Sequence, residues 1–540
     1  MNKLTSMTRL LPLTMLAGAL LLASAAQAAA PGIRSTTSTA GTFTLTAQEA
    51  YLNQPDGNQV YSWGYGCSSG STPSFFPTLA NQACSTMQVP GPTLIVTEGT
   101  TVTVTLTNNL PTPAGNTSIL FPDFVVTATG GVAGLLTQEA APTASVTYTF
   151  KATTPGTHAY YSGTQGDLQI DMGLYGAIIV LPSAPPAVCT AGLPTTHPGN
   201  NAAAQLARGE QDFRLATAAY DHPGTCYDRE YLFQFAEMDL NIHRQALAQV
   251  NLKRACIAGA PGCSLEVPTE PWHPSYYVIN GRSMPDDMDP NYDSVYPHQP
   301  YNGNPHMHPG EQTLIRVIGQ GRWQHPFHEH GNHVRILGRD GNLITSNSTI
   351  TYPGTTTAAP ALAGRLEFTT DTTPGQAFDG IFYWTGRGLN WDAYGHNPGS
   401  KDPAAVLTCT PDANGYNTGA PGAINYFEWC QDHNKPLQAA PFGDVPGGGP
   451  ATLPDANIFA NGAWYGGSPY LGPNANVRAT GPNSSQQPSN VQANPANERG
   501  YAFMWHSHNE REITTNNVFP GGMFMMMLVD SREFVIDESM

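Results

Sequence analysis

An all-β fold in two domains is what this sequence predicts, on three observations: short apolar runs alternating with threonine, abundant turn residues and sparse charge. The clearest strand runs from Thr100 to Asn108, where Val102, Val104 and Leu106 alternate with threonines. That period of two buries one face of a strand. The 540 residues include 55 Gly and 47 Pro and are only 12% charged, a mixture that suits turn-rich β structure rather than helices. Sparse charge alone would also fit disorder, but the β-branched and aromatic residues come in runs.

Taken in order, residues 1–28 read as a secretory signal peptide. Lys3 and Arg9 are followed by an apolar run from Leu10 to Ala23 and by the small-x-small site Ala26-Gln27-Ala28. The run is short for a bilayer core of about 30 Å, and no later stretch is long enough to span one. An exported chain, periplasmic or extracellular, is the expectation. Residues 41–185 form the first domain, with strands at Thr93–Thr97, Thr100–Asn108, Val146–Phe150 and Ala177–Leu181. A Pro-rich, charge-poor linker, 186–215, leads to the second domain, 216–540. There strands are expected at Tyr227–Phe235, Thr313–Ile318, Val334–Leu337, Ala377–Trp384, Tyr501–Trp505 and Met523–Val529. From about 386 to 500 the pattern dissolves into Gly, Pro, Asn and Ser. This reads as a long insertion, with a small third domain as the alternative because structureless loops of that length are uncommon.

The eight cysteines fall into sequence-near couples, Cys67 with Cys84, Cys189 with Cys226, Cys256 with Cys263 and Cys409 with Cys430. None has zinc-knuckle spacing, and export favours oxidation, so they read as disulfides, with nearest-neighbour pairing the simplest of the connectivities. The formal charge of −17 argues against nucleic acid as a partner and against anionic membrane surfaces.

Chemistry concentrates in two segments. In His325-Pro326-Phe327-His328-Glu329-His330-Gly331, residues two apart on a strand share a face, so His328 and His330 aim at one point while Glu329 faces away. Trp505-His506-Ser507-His508 repeats the spacing. A lone pair of this kind reads equally well as solvated rings on a surface strand; two pairs in one chain point to a metal site, for which imidazole suits copper, zinc, iron or nickel.

Together with Val89-Pro90-Gly91-Pro92-Thr93, Glu98-Gly99, Thr107 to Pro111, Gly173 to Val180, Tyr227 to Tyr231 and Val278 to Arg282, these segments resemble the multicopper oxidase superfamily. His325 to Gly331 matches its His-Pro-x-His-x-His-Gly motif, and Gly500 to His508 with Gly522-Met523 parallels its C-terminal copper segment. The resemblance implies two cupredoxin-like Greek-key β-barrels, as in two-domain laccases and copper nitrite reductases, and an oxidoreductase with copper as cofactor. It assigns the metal to His328, His330, His506, His508 and His325, as one or two copper ions with zinc as the alternative. The departures are as specific. Ser507 stands at the position of the type 1 cysteine and Glu512 at that of the third histidine. Leu120 and Pro122 occupy the ligand positions of the first domain's first His-x-His, and Tyr160-Tyr161-Ser162-Gly163 stands where its second would be. A type 1 centre needs a thiolate, and a three-copper cluster needs eight histidines, so full laccase activity is not expected.

Other groups have a structural reading beside a functional one. Met523, Met525, Met526 and Met527 read as core more readily than as thioether ligands for Cu(I). His306-Met307-His308 reads as a solvated loop before an outer metal site. Asp286, Asp287, Asp289 and Asp293 lack EF-hand spacing for calcium, and Glu510-Arg511-Glu512 reads as a surface ion pair. Ser507 between two histidines lacks a nucleophile elbow, and its strand neighbours point away from it, which argues against hydrolase chemistry. Three functions remain: an oxidoreductase on a reduced His-based copper site, a metal-binding protein without turnover, or a structural, filament-forming protein on the same scaffold. A small-molecule or metal-ion substrate and a homo-oligomer stay open.

Overall fold

A computed structural model describes residues 30–190, 210–308, 311–352, 354–384, 467–470, 500–530 and 535–537. The expected signal peptide, most of the linker 186–215, nearly all of the insertion at 386–500 and the Cys409–Cys430 couple lie outside the described residues.

The chain builds two β-sheet cores, each between two facing sheets. In the first, one five-stranded sheet runs in the order Gly156–Tyr161, Tyr175–Leu181, Leu94–Thr97, Gly32–Ser35, Ser74–Phe76. The second runs Gln59–Cys67, Thr42–Asn53, Thr101–Asn108, Ser145–Lys151, Thr127–Gly130. Both are mixed: Thr42–Asn53 lies parallel to Thr101–Asn108, and Leu94–Thr97 parallel to Tyr175–Leu181. The period-two expectation holds, for Val102, Val104 and Leu106 are fully buried while the intervening threonines face outward. They meet Ile33, Leu94, Val96, Ile178 and Val180 of the facing sheet. The domain already includes Gly32–Ser35, ahead of the expected start at residue 41.

The second domain pairs a seven-stranded sheet, built on Arg229–Met238, Gln312–Gly319 and Ala377–Tyr383, with a six-stranded one. The latter is ordered His306–Met307, Phe524–Asp530, Gly500–Ser507, Pro326–Glu329, Thr369–Asp371, with Gly467–Tyr470 as a sixth strand also paired to Gly500–Ser507. Phe233, Phe235, Val317, Phe378 and Phe382 from one sheet pack on Phe327, Phe503, Trp505, Met525 and Met527 from the other. Cys67–Cys84, Cys189–Cys226 and Cys256–Cys263 pair as expected.

The fourteen-residue helix Leu240–Lys253 was not foreseen. Asp239 caps it by accepting from Asn241 N at 2.8 Å. Ile242, Ala246 and Val250 bury against the first domain's core, so a segment that follows a second-domain strand is held by the first domain. Among the described residues no helix is long and apolar enough to cross a membrane.

Candidate metal centre

Strand register brings the two histidine pairs together. Pro326–Glu329 runs antiparallel to Gly500–Ser507 with Phe327 opposite Ser507, His328 opposite His506 and Glu329 opposite Trp505. Phe327 and Trp505 therefore point into the core and the imidazoles to the other face of the sheet. Trp505 fixes the register from below. It is fully buried, meets Phe233, Phe327 and Phe382 edge-on, and donates Nε1 to His330 O at 3.0 Å.

The four rings form one cluster. Ring centres lie 4.7 Å apart for His328–His330, 5.0 Å for His328–His508, 5.2 Å for His330–His506, and 5.7 Å for both His328–His506 and His506–His508. His328 is buried, His330 and His506 are half-buried and His508 is exposed, so the cluster opens to solvent on one side. Two rings are oriented by their outer nitrogens. His328 Nδ1 shares a hydrogen bond with Thr369 Oγ1 at 2.7 Å, and His506 Nδ1 donates to Ser507 O at 2.8 Å. Holding Nδ1 in this way leaves Nε2 to serve as a ligand. His506 Nε2 and His330 Nε2 approach to 3.2 Å. Burial, reinforced by the neighbouring imidazoles, pushes His328 down to about 4, and burial also lowers His506. Both are thus neutral near pH 7, the state in which imidazole binds metal.

His325 is not part of the cluster. Its Nε2 lies 2.6 Å from Glu237 Oε1 and its Nδ1 2.8 Å from Glu512 Oε2. Burial alone would lower its pKa, but the two carboxylates raise it to about 9. Glu512 also takes the Ser507 hydroxyl and Asn509 Nδ2, while Glu237 accepts from Arg322 N and Trp323 N. Where the resemblance would place a type 1 centre, Ser507 and His325 both bond Glu512, and His325 lies against Glu237. These residues do not fit a type 1 copper: none of them offers a thiolate, and both nitrogens of His325 face carboxylates. The surface ion pair expected for Glu510-Arg511-Glu512 is corrected accordingly. Glu512 is fully buried, Glu510 is exposed, and Arg511 bonds Tyr277 Oη.

Three further expectations change. His306 and His308 are buried rather than solvated. His306 Nδ1 meets Asp530 Oδ2 at 2.6 Å and His308 Nε2 meets Glu210 Oε1 at 2.7 Å. Glu210, His308 and Glu311 lie close enough to share a metal ion, but Arg229 already pairs with both carboxylates at 2.7 and 2.5 Å. In the acidic loop, Arg282 donates to the carbonyls of Asp286, Asp289 and Pro290, so a guanidinium stands among the loop's oxygens. Of the methionines, Met523, Met525 and Met527 are core, whereas Met526 faces the other way, toward the imidazole side. In the first domain Leu120 and Tyr161 pair backbone to backbone. Sequence reasoning overlooked Thr369, Glu237 and Met504; only Met504, two residues before His506 on the same strand, carried a local signal.

A multicopper oxidase family model matches residues 79–185. The multicopper oxidase MCE of Talaromyces pinophilus is 37% identical over 98 residues, covering 18% of this chain and 15% of that protein. The copper-containing nitrite reductase of Pseudomonas chlororaphis is 38% identical over 96 residues, covering 17% of this chain and 25% of that protein. The chain thus matches a quarter or less of the length of these relatives. Among solved structures, the multicopper oxidase mgLAC aligns with a TM-score of 0.41 at 14% identity over 91% of this chain and 86% of that one. The blue copper oxidase of Nitrosomonas europaea aligns with a TM-score of 0.41 at 15% identity over 90% and 85%. The family match lies on the first domain, and the histidine cluster lies outside it.

Proposed function

We propose, starting from the match of residues 79–185 to a multicopper oxidase family model, an exported copper protein that holds its metal at His328, His330, His506 and His508, lacks a type 1 centre, and acts as an oxidoreductase on this reduced site. The observation that carries the reading is the cross-strand pairing of His328 with His506, which gathers four imidazoles so that His328 and His506 each have their ring centres 4.7–5.7 Å from those of the other three. Bound copper would supply one-electron chemistry. The chain's own part is to present neutral Nε2 atoms, oriented through Thr369 and the Ser507 carbonyl, on a face open to solvent. Copper is favoured over zinc by the affinity order of nitrogen ligands, and the three described disulfides accord with an oxidising compartment.

Metal binding without turnover is the second reading. It is favoured by the Glu237–His325–Glu512 arrangement, which fills the place where a family member would take in electrons. Metal analysis and electron paramagnetic resonance of the purified protein test the proposal. One or two Cu(II) per chain are expected, without the intense visible absorption of a Cu–thiolate bond. Replacing His328 and His506 together by alanine should remove most of the metal and abolish the rise in thermal midpoint that metal gives the wild type. A double variant that keeps its copper overturns the site, and an intense blue colour overturns the missing type 1 centre.

A further inference from the structure

The imidazole face of the six-stranded sheet does not end at the histidines. Among the described side chains of Gly500–Ser507, Phe503, Trp505 and Ser507 are buried, so Ala502, Met504 and His506 share the outer face. In Phe524–Asp530, Met525, Met527 and Val529 are buried, so Phe524, Met526 and Leu528 face outward. Register then aligns these side chains in rows. His506 stands opposite Phe524, and Met504 opposite Met526. On the other flank, His330 N donates to Met504 O at 3.2 Å, one step beyond the pairing of Glu329 with Trp505. One row across the sheet therefore reads His330, Met504, Met526, immediately beside the row of His328 and His506. At the far edge Met288 Sδ accepts from Met526 N at 3.5 Å.

From this row we infer a second, soft metal site, in which the Met504 and Met526 thioethers and the His330 imidazole bind Cu(I). Neighbouring strands lie about 4.8 Å apart, and successive residues on one face of a strand about 7 Å apart. The Met504 and Met526 side chains thus start within reach of a common point, and their flexible, unbranched chains can turn both sulfurs onto it. Thioether ligands select Cu(I), whereas imidazoles suit the divalent ion. Packing accounts for Met523, Met525 and Met527, which are fully buried, but not for Met504 and Met526, which stand half-buried on the outer face. His330 is common to both groups, so the softer site adjoins the harder one through a shared ligand. The inference rests on the copper reading of the four histidines for the identity of the metal, but not for the ligand set.

The test is competition for Cu(I) with a chromogenic chelator under reducing, anaerobic conditions, alongside X-ray absorption of the Cu(I)-loaded protein. Wild type should show sulfur in the first shell. Replacing Met504 and Met526 together by leucine, which keeps apolar volume, should remove the sulfur signal and weaken Cu(I) binding at least tenfold, while the Cu(II) paramagnetic resonance spectrum stays as in wild type. Absence of sulfur scattering in wild type, or a Cu(I) affinity in the leucine variant within twofold of wild type, overturns the inference. If the leucine variant does not fold, the wild-type absorption spectrum decides alone. Cu(II) bound through nitrogen with no sulfur in the Cu(I) form leaves the four-histidine reading standing and removes this one. Sulfur-bound Cu(I) in a protein that takes up no Cu(II) does the reverse.

Discussion

Ser507 and His325 are both hydrogen-bonded to Glu512, and the other nitrogen of His325 lies 2.6 Å from a Glu237 oxygen, so that each nitrogen of this buried ring faces a carboxylate. That arrangement stabilises the imidazolium, and its pKa rises from an ordinary 6.5 to about 9. A pKa raised in the folded state makes a contribution that is complete below the unfolded value and fades as pH climbs through the folded one. The window is therefore pH 6.5 to about 9, and the shift corresponds to on the order of 3 kcal/mol. Urea midpoints of wild type should fall across that window, while those of His325→Gln should be lower at pH 6 and nearly flat; equal slopes in the two proteins would refute the assignment. None of this was legible beforehand, because Glu512 comes 187 residues after His325 and sits in a Glu-Arg-Glu triplet that looks like solvated surface. The His-x-His pairs, by contrast, were legible because a strand's period is local and writes itself into adjacent residues.

Among the elements, strands with a wet face announced themselves and the helix did not. Thr101–Asn108 alternates residue by residue because one face meets the core and the other solvent. Leu240–Lys253 buries Leu240, Ile242, His243, Ala246 and Val250, a stripe with few large apolar residues. His243 within it is held by Tyr61 O and Asp171 rather than by packing alone. What makes the segment helical is the surface of the other domain, to which a short sequence window is blind. Its start rests on Asp239, whose carboxylate accepts from Asn241 N at 2.8 Å and from His273 N at 2.6 Å. Asp239→Ala should destabilise the protein by about 1–2 kcal/mol, read as a lower urea midpoint, with metal content unchanged. A coincident loss of metal would mean that the helix and the histidine face are coupled, contrary to their placement on different sheets.

At the scale of the molecule, the two barrels are joined through a buried polar knot as well as through apolar contact. Ile95, Ala159, Ala177 and Ile179 of the first domain pack with Leu232, Ile318 and Ala377 of the second. At the same seam, Asp379 accepts from Thr157 N at 3.0 Å, Thr157 Oγ1 at 2.6 Å and Tyr220 Oη at 2.7 Å. Arg316 bridges Asp379 and Glu230 at 3.2 and 2.8 Å and also reaches Thr157 Oγ1. Arg316 is fully buried; burial works against its charge, but Glu230 and Asp379 hold the guanidinium above its usual range. Removing one member of such a group strands the others, which makes the loss larger than the net worth of the ion pairs, about 3–5 kcal/mol. In Arg316→Met, Glu230 and Asp379 would remain buried without their cation, and only the bonds from Thr157 and Tyr220 would be left to hold Asp379. Calorimetry should therefore show one cooperative transition in wild type and two in the variant, as the seam opens before the barrels melt. A single transition with an unchanged midpoint would show that the apolar contacts alone hold the domains together.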